Sequence, residues 1–144
     1  MPKSANSGTA STIMGGSGNL QDIIEVEAIT LDEFVREENI SGKIDLIKID
    51  IEGAELFALQ GMREVLSKNK PALILEINDE MMGLAGYSAK DIQNYLSEFG
   101  YKAYEMTKKG LRGPLSEIHS VSENYCFLTD ERIQKSNIRG LIFI

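Results

Sequence analysis

The sequence predicts an α/β domain in which at least two strands run parallel and the last two pair antiparallel. Three observations carry that expectation. Short apolar runs alternate with stretches of helical spacing, in the order strand, helix, strand, helix, strand. Two of the helical stretches open on a Ser or Thr with an acidic residue three positions on, the signature of a capping box. No helical stretch separates the last two apolar runs, so they lack the crossover that parallel neighbours require.

Residues 1–22, "MPKSANSGTASTIMGGSGNLQD", are small and polar and read as a flexible N-terminal segment; residues 23–144 read as the folded unit. "IIEVEAI", Ile23 to Ile29, alternates enough to be a strand with one exposed face. Thr30 caps a short helix whose stripe is Leu31, Phe34 and Val35 and whose capping-box acid is Glu33; it stops near Asn39 to Gly42. Ile44 to Ile51 is nearly continuous in apolar, β-branched residues, the pattern of a parallel strand covered on both faces. A helix is predicted from Ala54 to about Lys68 on the stripe Ala58, Leu59, Met62, Val65 and Leu66, closed by Asn69 and Pro71.

"PALILEI", Pro71 to Ile77, is a second buried strand, and "NDEMMGLAGY" a loop. Ser88 with Asp91 caps a third helix with stripe Ile92, Tyr95, Leu96 and Phe99, ended by Gly100. Tyr101 to Met106 is a strand, "TKKGLRGPLSEIHSVSE" a long exposed connection, and "NYCFLT" the last strand, with a helix near Asp130 to Lys135. The apolar tail "GLIFI", Gly140 to Ile144, is suited to covering a sheet edge or joining an interface.

Composition narrows the function classes. With 42% hydrophobic and 26% charged residues the chain is globular in type. A net charge of −7 with no basic run argues against nucleic acid or an anionic membrane surface as partner. Cys126 is the only cysteine, so neither an internal disulfide nor a cysteine-based metal site is available. No run is long enough to span a bilayer and no secretory signal opens the chain, so a cytoplasmic location is expected. His119, the lone histidine, sits in a polar connection and is set aside as a solvated residue.

The carboxylates are the candidate chemistry. Ligands of open α/β sheets bind beyond the carboxyl ends of the strands. Asp50 and Glu52 end one strand there and Glu76 ends the next. If the strands are neighbours, three carboxylates share one crevice, suited to a cationic or polar ligand, to taking a proton from a hydroxyl, or to Mg²⁺. Glu55 is better explained by the helix macrodipole, which favours acids in a first turn. Glu52 fits either account. Asp50 and Glu76 resist the dull one, because each interrupts or ends an apolar strand, where an idle carboxylate is costly. Gly53 suits either backbone approach to a ligand or close packing.

"ITLDEFV", then "IDLIKIDIEGAELFALQGM", then "KPALILEI", running from Ile29 to Ile77, resembles the second half of the FkbM-type methyltransferases. "FGYKAYEM" and "ENYCFL" fit the family's final strands more loosely. The resemblance implies a Rossmann-like (class I) methyltransferase sheet, S-adenosylmethionine as methyl donor, and O-methylation of a hydroxyl on a small molecule or sugar. On that pattern Asp50 lies nearest the reacting centre and contacts the donor. Glu76 positions or deprotonates the acceptor hydroxyl, and Glu52 is a second-choice contact. No metal is implied.

The family's opening strand and glycine-rich donor loop have no counterpart here. "GGSGN", Gly15 to Asn19, has no strand before it and no apolar helix after it, and so fails the context of a nucleotide loop. "SANSGTAST" resembles the loop just ahead of the family's "TLDEF". The expectation is therefore a partial sheet, the C-terminal half of a catalytic domain. Its Ile44 to Ile51 strand would expose an edge to a homodimer partner or to a complementing N-terminal half. Two other classes remain open: a non-catalytic interaction module using that edge, and a phospho-acceptor receiver-like domain with Asp50 as acceptor. The receiver's usual further acids are missing from the opening of the chain.

Overall fold

The computed structural model describes residues 27–40, 42–118, 123–136 and 138–143. Six strands form one sheet in the order β1-β2-β5-β3-β4-β6. They are β1 (Leu46–Ile49), β2 (Ala72–Ile77), β3 (Tyr101–Thr107), β4 (Gly110–Leu115), β5 (Glu123–Thr129) and β6 (Ile142–Phe143). β1 and β2 are parallel neighbours, while β5 inserts antiparallel between β2 and β3. The predicted parallel pair and the antiparallel C-terminal pair are both present, in a sheet compatible with the Rossmann-like class. The strand expected at Ile23 to Ile29 falls partly outside the described residues, and its described part, 27–29, is not a strand. His119 and the cluster Gly15 to Asn19 also lie outside them.

The sheet is covered unequally. β2 alternates strictly: Leu73, Leu75 and Ile77 are fully buried, while Ala72, Ile74 and Glu76 are only half-buried. The first set joins Phe127 of β5 and Ile92 and Leu96 of α5 (Ala89–Ser97) in the main core. The second face carries a smaller cluster of Tyr104, Cys126, Leu128 and Ile133, the last from α6 (Asp130–Lys135). Leu46 and Lys48 of β1 are exposed, so the expectation of cover on both faces is corrected for that strand. Cys126 is a buried hydrophobe whose thiol is pushed up to about 11 by burial.

The long helix predicted from Ala54 is two helices, α2 (Glu55–Gln60) and α3 (Arg63–Lys68). α1 (Leu31–Glu37) is wedged against the break. The Asp32 amide donates to the Gly61 carbonyl at 3.0 Å, and the Asp32 carboxylate accepts from the Glu64 and Val65 amides at 2.8 and 3.0 Å. A methyl at Gly61 would meet the Thr30 side chain at 3.3 Å, so glycine makes room for the wedge. α1 thus caps the first turn of α3 from outside, a tertiary demand that no local periodicity encodes. Both predicted capping boxes, Thr30 with Glu33 and Ser88 with Asp91, are formed.

Two predicted loops are ordered elements. "NDEMMGLAGY" holds α4 (Asp79–Leu84), whose cap Asn78 accepts from the Glu80 and Met81 amides and whose Met82 is fully buried. The connection after β3 folds into β4, pinned by a cross-strand pair of Arg112 with Glu105. The tail then covers the β4 edge as β6. It fits because Gly110, at φ +134, lets the Leu141 carbonyl approach where a methyl would stand 2.3 Å from that oxygen.

Candidate functional site

Parallel pairing brings the predicted residues together. The register matches Ile49 with Leu75, so the next step along it sets Asp50 beside Glu76. Alternation along a strand puts Lys48, Asp50 and Glu76 on the less covered face, with Asn124 of β5 paired to Glu76. Lys48 Nζ stands 2.6 Å from Asp50 Oδ2. That ammonium holds the Asp50 carboxyl below its ordinary value, and a hydrogen bond with the neighbouring Glu76 carboxyl acts in the same direction.

The burial argument for these two acids is corrected. Asp50 is exposed and Glu76 half-buried, so neither carries the desolvation cost expected of a carboxylate in a covered strand. They remain candidates because they sit side by side at adjacent strand ends with an ammonium attached.

Among the described residues the carboxylate that is buried is Glu55, at 2% exposure. It does stand in the first turn of α2, as the macrodipole account requires, but its side chain turns back on the segment between β1 and α2. Oε1 accepts from the Ile51 and Gly53 amides, both at 3.2 Å. Oε2 is 3.1 Å from the Tyr87 hydroxyl, which is also 2.9 Å from the Gly53 carbonyl and accepts from the Leu56 amide at 3.4 Å. The phenol's single proton can go to Glu55 or to Gly53. Burial pushes the Tyr87 hydroxyl well above its usual range, so it stays a donor.

The clamped turn is strained. Glu52 has φ +54 and Gly53 φ +97. A non-glycine residue held left-handed costs about 1–2 kcal/mol, and such strain tends to collect at functional sites. Gly53 is buried and supplies the second left-handed step freely. Sequence reasoning singled out Asp50, Glu52 and Glu76 as candidates and passed over Tyr87, which lies in the stretch read as loop and gave no signal at a distance of more than thirty positions from its partners.

The same end of the sheet is acidic elsewhere. The Tyr125 hydroxyl is pushed up by burial first, then by Glu123, Glu105 and Asp79. Among the described residues no group of three or more acidic, histidine or cysteine side chains is placed to hold a metal ion. A hollow of about 280 Å³ lies between α1 and α3, lined among others by Asp32, Arg36, Glu64 and Lys68. It shares no residue with the strand-end cluster, and its Asp32 is already committed to capping α3, so the paired carboxylates define the candidate site better than the hollow does.

Residues 2–103 match the family model described as the methyltransferase FkbM domain. The chain belongs to that family. No curated protein and no solved structure matches it. The FkbM match spans α1, β1, the strained turn, β2 and α5, so Asp50, Glu52, Glu55, Glu76 and Tyr87 all lie inside it. It also takes in residues 2–22, which lie outside the described ones. The receiver-like alternative falls with that membership: this is a methyltransferase by family. No helix among the described residues is long and apolar enough to cross a membrane. For a methyl donor, the described residues offer two adjacent carboxylates, a chemistry that fits the cationic end of a sulfonium amino acid.

Proposed function

We propose that the protein transfers a methyl group from S-adenosylmethionine to a hydroxyl on a small molecule or sugar. One observation carries this reading: Asp50 and Glu76 stand side by side at the carboxyl ends of two parallel strands, within the region that matches the FkbM family. When bound, the donor supplies a methyl on a sulfonium that is its own leaving group, so the acceptor oxygen gains the methyl as the carbon–sulfur bond breaks.

The protein's part is positioning and proton removal. Asp50, kept ionised by Lys48, orients the cationic end of the donor. Glu76 takes the acceptor's hydroxyl proton, and Glu52, lifted by the left-handed turn, is a second contact for either ligand. No metal enters this scheme. The chain works in the cytoplasm, away from nucleic acid and membrane.

A second reading rests on the edge of β1. Among the described residues β1 pairs only with β2, and Leu46 on it is 58% exposed. Such an edge accepts another strand, either from a second copy of the chain or from a separate polypeptide. A non-catalytic interaction module would use the same edge.

Calorimetric titration with S-adenosylmethionine, alongside mass by light scattering, tests both. Micromolar binding lost in Asp50→Ala is expected. A stable dimer that binds no donor would overturn the catalytic reading in favour of the interaction module.

A further inference from the structure

The turn between β1 and α2 is held from both sides by two side chains that have no part in the proposed chemistry. Glu55 reaches the amides of Ile51 and Gly53, which bracket Glu52. Tyr87 reaches the Gly53 carbonyl on the far side and the Leu56 amide at the helix start. Glu55 is buried, and Tyr87 is fixed by an edge-on ring contact with Phe57 at 5.9 Å. The left-handed conformation of Glu52 would relax to an unstrained one if it were free to do so. Something must therefore over-determine it, and these four polar contacts do.

We infer that Glu55 and Tyr87 are positioning residues, a carboxylate–phenol clamp that fixes where Asp50 and Glu52 present their carboxylates to the ligands. The inference rests on the methyl-transfer reading of that crevice. It assigns a role to α4 and the loop after it, since they deliver Tyr87 to the turn from thirty-four residues away. It also explains why an acid in the first turn of α2 is buried and not solvated: its task is to accept from the Ile51 and Gly53 amides on either side of Glu52.

The test reads the turn without needing activity. The titration midpoint of the Asp50 carboxyl is followed by NMR in the wild type and in Tyr87→Phe, Glu55→Ala and Glu55→Gln. Tyr87→Phe keeps the ring and removes only the hydroxyl, and it changes no charge. If the clamp sets the turn, Asp50 loses its fixed placement beside Lys48 and Glu76, and its midpoint rises by about half a unit or more towards the ordinary value.

The direction separates geometry from charge. Deleting a neighbouring carboxylate for its charge alone would lower the Asp50 midpoint, so a rise in Glu55→Ala reports lost placement. Glu55→Gln keeps an acceptor for both amides and can donate to the Tyr87 oxygen, so it should return the midpoint most of the way to wild type. A fold-stabilising role alone would lower the melting point and leave the Asp50 midpoint in the folded protein unmoved. An unmoved midpoint in Tyr87→Phe and Glu55→Ala overturns the inference. Donor titration of the wild type tests the underlying reading separately: Tyr87→Phe and Glu55→Ala should weaken donor affinity about tenfold through the displaced Asp50, and Glu55→Gln should stay close to wild type.

Discussion

The two ends of the β1–β2 pair are built on the same plan with opposite charge. At the amino end a buried cation, Arg132, holds Lys70 in a left-handed conformation at φ +47; at the carboxyl end a buried anion, Glu55, holds Glu52 at φ +54. Arg132 Nε donates to the Lys70 carbonyl at 3.0 Å, one terminal nitrogen to Asp45 at 2.6 Å, and the other to the Asn69 carbonyl at 3.2 Å. Glu55 collects amide protons where Arg132 collects carbonyls.

The difference lies in what is left over. At the amino end the guanidinium is surrounded by acceptors and sits at 6% side-chain exposure. At the carboxyl end the clamp leaves Asp50 exposed on the open face, with Lys48 at 56% side-chain exposure beside it. A lock consumes its polar groups, whereas a site keeps some available to a ligand.

The largest expected effect breaks the lock. Arg132→Ala strands the carbonyls of Asn69 and Lys70 at the end of α3 and removes a buried cation. The expected loss is about 3 kcal/mol of stability, read as a lower urea midpoint with an unchanged slope. Donor affinity of the fraction that remains folded should be unaltered. Asp50→Asn sharpens the contrast from the other end: stability within about 0.5 kcal/mol of wild type, with donor binding lost.

Much of the contrast could be read in the sequence, though not its assignment of roles. Asp50 and Glu76 stood out because strand-end position is local information, and the parallel pairing that joins them follows from the alternation of elements. The helix at Asp130 to Lys135 was found, but not that its Arg132 reaches back sixty-two residues to Lys70. Glu55 was passed over because its place in a first turn gave a sufficient local reason for an acid. Its second carboxylate oxygen accepts from Tyr87, and no spacing rule links the two. The break in the helix after Gln60 had the same origin, since Thr30 and Asp32 impose it from α1. Local signals found elements and caps; side chains that join distant segments stayed invisible.

A smaller effect tests the strain on each side. Glycine at a left-handed position removes the steric cost and adds back some backbone entropy, so a net gain of about 0.5–1 kcal/mol is expected from either Lys70→Gly or Glu52→Gly. The two should then part company. Lys70→Gly is expected to raise the melting point and leave donor and acceptor binding alone. Glu52→Gly is expected to raise it too, while weakening binding, because the strained residue is itself a contact. Equal binding in both variants would place Glu52 among the structural residues.

The smallest effect is in acid. Asp45 is held below its ordinary value first by the hydrogen bond from Arg132, with Lys43 adding to it, and Asp50 first by Lys48 and then by Glu76. Both folded values are depressed. Each acid's contribution is therefore complete above the ordinary carboxylate value near about 3.9 and is lost as pH falls through the folded one. For Asp45 the loss should appear in stability, as a urea midpoint that drops at acid pH in the wild type and drops less steeply in Arg132→Ala. Asp45 is 66% exposed, so high salt should flatten much of the difference. For Asp50 the same protonation should appear in ligand affinity: donor binding flat through neutrality and falling only below the ordinary carboxylate range. In Lys48→Met that fall should begin at higher pH. Donor binding whose acid limb does not move in Lys48→Met would mean that this end of the sheet is a lock as well and that the ligand site lies elsewhere.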